Sequence, residues 1–245
     1  MTTASPDAVS RTTPSSPGPT AEAPVSARRR ATRARLLAAA EEVFAERGFH
    51  GASVEDLCER ADFTRGAFYS NFASKDELLL ELYAEHAARL HARVAEVAET
   101  PGLSLEQVLE GVFDVWTDDP DARRRWHLLT SEFALHALRD DQARAAWAAL
   151  QGTLREELAA VVDRIAEAQH LRPVVTSAEL VRLIGIVLHG GLDQHLLEPD
   201  SVPAGSLERI FLPLLVRAAT HGSAKGGAAN ARGGAPTEGT ATGDR

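Results

Sequence analysis

The sequence predicts an all-α protein of about nine helices, and three observations carry that expectation. Apolar residues recur three and four apart through almost the whole middle of the chain, the spacing of one helix face. Ser, Thr, Asp or Pro stand before these runs and Gly or Pro after them, where helices start and stop. No sustained alternation of apolar and polar residues is present to build a sheet.

The elements follow in order. Leu36, Ala40, Val43 and Phe44 form the inner stripe of a first helix, which Gly48 ends as a C-terminal cap. Ser53 caps a second helix, and Asp56 three residues on is a shorter relative of the capping-box glutamate. Asp62 and Phe63 make the break after it, since Asp is among the few side chains that tolerate a left-handed backbone. Thr64 caps a short third helix running through Phe72. Ser74 caps a fourth, with Glu77 completing a capping box and Leu78, Leu82, Leu90, Val94 and Val97 as its inner stripe. Pro101 and Gly102 end it. A fifth helix is expected over residues 104–116, a sixth from Pro120 to about residue 140 and a seventh over 142–169. Pro173 holds the gap before an eighth helix at Ser177–Leu197, and Ser206–Thr220 is the ninth, with Pro213 expected to kink it.

Composition narrows the setting. A hydrophobic content of 44% is ample for a packed core. The single cysteine, Cys58, rules out an internal disulfide and a Cys-based zinc framework, and it fits a reducing, cytoplasmic compartment. No apolar run approaches the roughly 18 residues of a membrane span, and the opening residues lack the apolar stretch of a secretory signal. Residues 1–27 and 222–245 are rich in Ser, Thr, Pro, Gly and Ala, so both are expected to be disordered tails. The net charge of −9 hides an asymmetry. Residues 26–75 hold nine Lys or Arg against seven Asp or Glu, a net of +2, which leaves −11 for the rest. A basic end on an acidic body suits a protein that presents one end to phosphate.

The informative stretch is residues 53–79, SVEDLCERADFTRGAFYSNFASKDELL. Two short helices joined by a tight turn can set the second across a DNA major groove. Ser53 at the start of the first, beside its positive helix end, makes an anion site. Thr64 caps the recognition helix, and Arg65 in its first turn can fork to a guanine. Gly66 and Ala67 are small enough to bring the backbone to the base edges. Phe68 and Phe72 are spaced to face the core, while Tyr69 and Lys75 are expected to hold phosphates and set register. Arg28, Arg29 and Arg30, with Arg33, form a basic run that can reach a minor groove as an N-terminal arm.

Thr64, Gly66, Tyr69, Phe72, Lys75 and Leu78, following Gly48 and Phe49, resemble the DNA-binding signature of the TetR family of regulators. The motif similarity spans about residues 33–82, and the helix count and lengths extend it over the ordered chain. The chain departs from the pattern at Asp62, where Gly is usual, at Phe63, where a small aliphatic is usual, and at Asn71, where His or Tyr is usual. The resemblance implies a helix-turn-helix DNA-binding domain over residues 28–75 and a helical effector-binding and dimerisation domain over 76–221. It further implies a homodimer, a palindromic operator, and release from DNA when a small effector binds. The DNA contacts expected are Arg30, Arg33, Ser53, Thr64, Arg65, Gly66, Ala67, Tyr69, Asn71 and Lys75.

The C-terminal half supports part of this from its own residues. The eighth helix contains VRLIGIVLHGGL, apolar nearly all round, and a helix of that kind must be covered on most faces. The ninth adds Leu207, Ile210, Phe211, Leu214 and Leu215, so a dimer through these two helices is expected. Phe113, Trp116, Trp126, His127, Phe133, His136 and Trp147 gather in helices five to seven and are expected to line a pocket for an apolar or aromatic molecule. His189 and His195 are six residues apart on different faces, so no metal is expected, and Arg123, Arg124 and Arg125 read as a solvated face. No phosphate-binding loop, nucleophile elbow or dinucleotide fingerprint occurs, so neither an enzyme nor a cofactor is expected. The competing class is a helical carrier or enzyme whose first helices are only structural. Substituting Tyr69 and Lys75 separates the two, since only a DNA-binding protein would lose its operator.

Overall fold

A computed structural model describes residues 24–220. Among the described residues there are nine helices and no strand. Helix α1 spans Pro24–Gly51, α2 Val54–Ala61, α3 Arg65–Tyr69, α4 Lys75–Ala98, α5 Leu105–Thr117, α6 Pro120–Ala137, α7 Asp141–Ala168, α8 Ser177–Leu197 and α9 Ser206–Thr220. The last four residues of the expected N-terminal tail are thus helical; residues 1–23 and 221–245, with the rest of both expected tails, lie outside the described residues.

Local chemistry sets the helix ends. Gly48 breaks α1 with φ 70° and ψ 176°, although helical hydrogen bonding resumes beyond it to Gly51. Ser53 and Asp56 close a complete capping box: the Asp56 N–H donates to Ser53 Oγ, and Asp56 Oδ2 accepts from the Ser53 N–H at 2.9 Å. The shorter acid is therefore long enough. Asp62 is left-handed (φ 57°, ψ 49°), and the Phe63 N–H turns back to the Cys58 carbonyl at 2.9 Å, a Schellman closure with Asp in the place of glycine. At α4 the box expected on Ser74 does not close. Glu77 reaches past the cap, and its Oε2 accepts from the Ala73 N–H at 2.6 Å. Helix α3 is shorter than expected, ending at Tyr69, but the Phe72 N–H still bonds the Phe68 carbonyl at 2.9 Å.

One apolar core joins α1–α4 to α6 and α7. Leu36, Leu57, Phe68, Leu78 and Phe133 are wholly buried within it, each worth about 1.5–3 kcal/mol against exposure. The expected domain boundary at residues 75 and 76 falls in the first turn of α4, and this core runs across it. Phe133 from α6 meets Phe49 from α1 edge-on, ring centroids 5.2 Å apart. Of the remaining helices, α5 packs on α4, α8 packs on α7, and α9 packs on α8 and α5; α9 is also tied to the loop before α8 by the Val174 N–H to the Ala219 carbonyl at 2.7 Å.

Candidate functional site

The site has two parts joined by α4 and α6. The first is the outer face of α3. Phe68 on this short helix and Phe72 just beyond its end are both buried, and they fix which side chains are left to face outward. Those are Arg65, Gly66 and Tyr69, with Thr64 ahead of them, all exposed, and the half-buried Ala67. A Cβ built on Gly66 meets only Thr64 Oγ1 at 3.8 Å, so internal packing does not require glycine there. Arg65 Nη1 pairs with Glu55 Oε1 at 2.5 Å, both side chains more than half exposed, a pairing that a phosphate or a base edge can replace at little cost. Arg28, Arg29 and Arg30 are exposed near the start of α1.

Three residues expected to face DNA turn inward. Lys75 Nζ donates to the carbonyls of Phe49 (2.6 Å) and Ala52 (2.8 Å) and lies 4.3 Å above the Phe49 ring. Burial holds its ammonium below the ordinary lysine value. It thus pins the end of α1 and the α1–α2 corner to α4. Arg33 stacks on Phe72, 4.2 Å from the ring, and its guanidinium is taken up by Glu81 and by the Asn71 carbonyl. Asn71 is 8% exposed, and its Nδ2 donates to the Ala67 carbonyl at 2.8 Å. The physical reason is common to all three. Each polar head meets a backbone carbonyl at or just beyond the end of α1 or α3, where intrahelical donors run out, and Arg33 is drawn in further by the Glu81 carboxylate. Ser53 stays exposed, though its hydroxyl donates to Asp56 Oδ2 at 2.6 Å.

The second part is a cavity of about 1140 Å³ walled by α4–α9. Phe113, Trp116, Trp126 and His127 line it; Phe133, His136 and Trp147 do not. These three lie on the side of α6 and α7 that faces α1 and α4. The Phe133 and Trp147 rings meet at a tilt of 59° with centroids 5.3 Å apart, and His136 Nε2 pairs with Asp76 Oδ2 at 2.9 Å. They therefore join the cavity helices to the α1–α4 head. Glu132 does the same: its Oε2 accepts from the Phe49 N–H at 2.7 Å, and α6 carries both this carboxylate and the cavity residues Trp126 and His127.

The polar lining was the hardest part to foresee. Arg123, expected on a solvated face with Arg124 and Arg125, turns into the cavity while those two remain exposed. Glu208 of α9 is 1% exposed and also lines the cavity. The signal for Glu208 is a four-residue period, since Glu208, Leu212, Val216 and Thr220 all line the cavity. His127 Nε2 lies 2.6 Å from Asp193 Oδ1, a pairing across 66 residues of chain that no spacing rule reveals.

Among the described residues no helix is long and apolar enough to cross a membrane. Large apolar side chains nevertheless remain exposed on α8 and α9: Leu183 at 40%, Ile186 at 63%, Ile210 at 57%, Phe211 at 50% and Leu214 at 56%.

Comparison with known proteins now places the chain. Residues 36–82 match a family described as bacterial regulatory proteins, tetR family. The HTH-type transcriptional repressor AcnR of Corynebacterium glutamicum is 31% identical over 159 residues, covering 65% of this chain and 79% of that protein. Among solved structures, Salmonella enterica GusR superposes with a TM-score of 0.60 at 25% identity, over 77% of this chain and 95% of its own. A putative TetR-family regulator from Rhodococcus sp. superposes at 0.62 with 18% identity, over 77% and 98%.

Proposed function

Because the chain belongs to the TetR family of bacterial regulatory proteins and is a DNA-binding transcriptional regulator, we propose that it represses from a palindromic operator and leaves it when a small, largely apolar effector fills the cavity. The observation that carries this reading is the outward face of α3, where Arg65, Gly66, Ala67 and Tyr69 are presented on the buried pair Phe68 and Phe72. Arg65 would read base edges in the major groove, and Gly66 and Ala67 would allow the close approach. Ser53, Thr64 and Tyr69 would hold phosphates, and Arg30 would extend the contact from α1. Arg33, Asn71 and Lys75 act from inside this reading head, fixing the angle between α1, α3 and α4.

Two copies would associate through the exposed apolar face of α8 and α9, giving the two-fold symmetry that a palindrome requires. The head would comprise residues 28–75 and the effector and dimer body 76–221. Helix α6 supports the coupling, since Trp126 and His127 line the cavity while Glu132 and His136 hold Phe49 and Asp76. Release demands that the effector bind the form that has left DNA better than the bound form. Repression is read from AcnR, whose name describes a transcriptional repressor.

The test is footprinting of the purified protein on the DNA upstream of its own gene and its divergent neighbour. A protected site with dyad symmetry is expected, and its loss in an Arg65→Ala, Tyr69→Phe double variant that remains dimeric. Protection unchanged in that variant would move the reading head away from α3.

A further inference from the structure

We infer that Arg123, Trp116 and Glu208 form, in the cavity wall, a head-group subsite for an amphiphilic carboxylate that also carries a hydrogen-bond donor, a hydroxyl or an ammonium, beside its acid group. This rests on the effector reading above and names the class of molecule that would fill the same cavity.

Three side chains from three helices define the subsite. Arg123 of α6 has Nε and Nη1 buried without a hydrogen-bond partner, Trp116 of α5 has its indole N–H in the same condition, and Glu208 of α9 has Oε1 so. All three residues line the cavity. Buried polar groups are partnered in the great majority of cases; the other such cavity atom among the described residues, His91 Nδ1, differs in having Glu157 Oε2 3.7 Å away. Burial holds the Arg123 guanidinium below the ordinary arginine value, and the charge of Glu208 works against that shift. The two charges therefore sense each other without a hydrogen bond between them. Glu208 is also deliberately seated: a Cβ on Gly191 would lie 2.7 Å from its Cδ, so α8 is bare where the carboxylate packs.

The chemistry of this set selects among ligands. Arg123 and Trp116 offer donors and call for an anionic acceptor. Glu208 offers only acceptors and calls for a donor next to that anion. A phosphate would bring a second negative charge against Glu208, an amine alone would oppose Arg123, and a simple alcohol would leave one partner unmatched. The rest of the wall is apolar, with Leu90, Val112, Leu158 and Leu188 among its side chains, and suits a hydrocarbon body.

Trp116 and Trp126 both line the cavity, so quenching of tryptophan fluorescence reads occupancy in the full-length protein. The probes are decanoic acid, its β-hydroxy derivative, decylamine and decanol. The β-hydroxy acid is expected to bind about tenfold more tightly than decanoic acid, with decylamine and decanol weaker than both, since one hydrogen bond to a charged group is worth about that factor. Glu208→Met should remove the advantage of the hydroxyl and leave decanoic acid unchanged, and Arg123→Met should weaken both acids about tenfold while sparing decanol. Equal binding of all four, a preference for decylamine or decanol, or no quenching by any of them overturns the inference. Should either variant fail to fold by circular dichroism, the ranking on the unaltered protein decides alone. Operator release separates the two readings. A β-hydroxy acid that binds best but leaves DNA protected overturns the effector role and spares the subsite. Release of DNA by a compound of different chemistry, together with no binding advantage for the β-hydroxy acid, does the reverse.

Discussion

The carboxylate of Glu132 accepts the backbone N–H of Phe49 at 2.7 Å, across 83 residues of chain. Phe49 follows the break at Gly48, where φ is 70° and a Cβ would lie 2.6 Å from Glu132 Oε1. The glycine, the amide and the acid form one joint between α1 and α6. Glu132→Ala is expected to lower unfolding free energy by about 1–3 kcal/mol, because it leaves a buried amide unpaired. It should also weaken the response of operator binding to an effector. Urea unfolding and fluorescence anisotropy on operator DNA check the two effects. Gly48→Ala should be at least as damaging, since it adds left-handed strain to the clash.

Arg65→Ala is expected to cost specific operator binding about 1–3 kcal/mol and to relax discrimination at one base pair of each half-site. Removing residues 1–30 should weaken binding to all sequences and lower the salt slope by about one unit per lost phosphate contact. Titrations at several salt concentrations distinguish these signatures. An unchanged slope after the deletion would exclude the basic run from the interface.

Lys75→Met should behave differently from either. Its ammonium is spent on the Phe49 and Ala52 carbonyls, so the variant is expected to melt at a lower temperature without DNA present. A phosphate clamp on the surface would leave the melting temperature unchanged.

Replacing Ile186 and Phe211 by Asp puts two charges into the exposed apolar face of α8 and α9. Analytical ultracentrifugation is expected to find a dimer for the unaltered protein and a monomer for the variant, with helical content retained. Operator affinity should fall steeply, because one head then binds without its mate.

His86 stacks on Trp126 at 4.0 Å and 17°. Desolvation, aided by Arg89, lowers its pKa from the usual 6.5 to about 4. Between these values the unfolded chain binds the proton and the folded one does not, so stability falls as pH drops from 6.5 towards 4 and is level in this respect above 6.5. His86→Phe keeps the stack and should flatten that part of the profile in urea titrations across the range.

Much of this was legible in the residues. Helix starts were readable from the Ser or Thr that caps them, as at Ser53, Thr64 and Ser74, and Asp62 takes the left-handed turn its chemistry allows. The inward face of α3 followed from the spacing of Phe68 and Phe72. What sequence missed were side chains whose partners come from distant helices. Lys75 and Arg33 are basic residues in a basic region, and only the packing of α1 against α4 shows that carbonyls and Glu81 claim them. Arg123 differs from Arg124 and Arg125 only by its angle around α6. Phe133, His136 and Trp147 share the composition of the cavity wall yet belong to the joint beneath it.

Trp126 belongs at once to the core that holds the head together and to the wall of the cavity. A substitution there that widens the range of accepted compounds must also disturb the packing around α1. Under the effector reading proposed above, breadth of response and heat tolerance are therefore tied. Selection for new inducers at this position should return variants with altered melting behaviour, and gains in both at once would need a second change elsewhere.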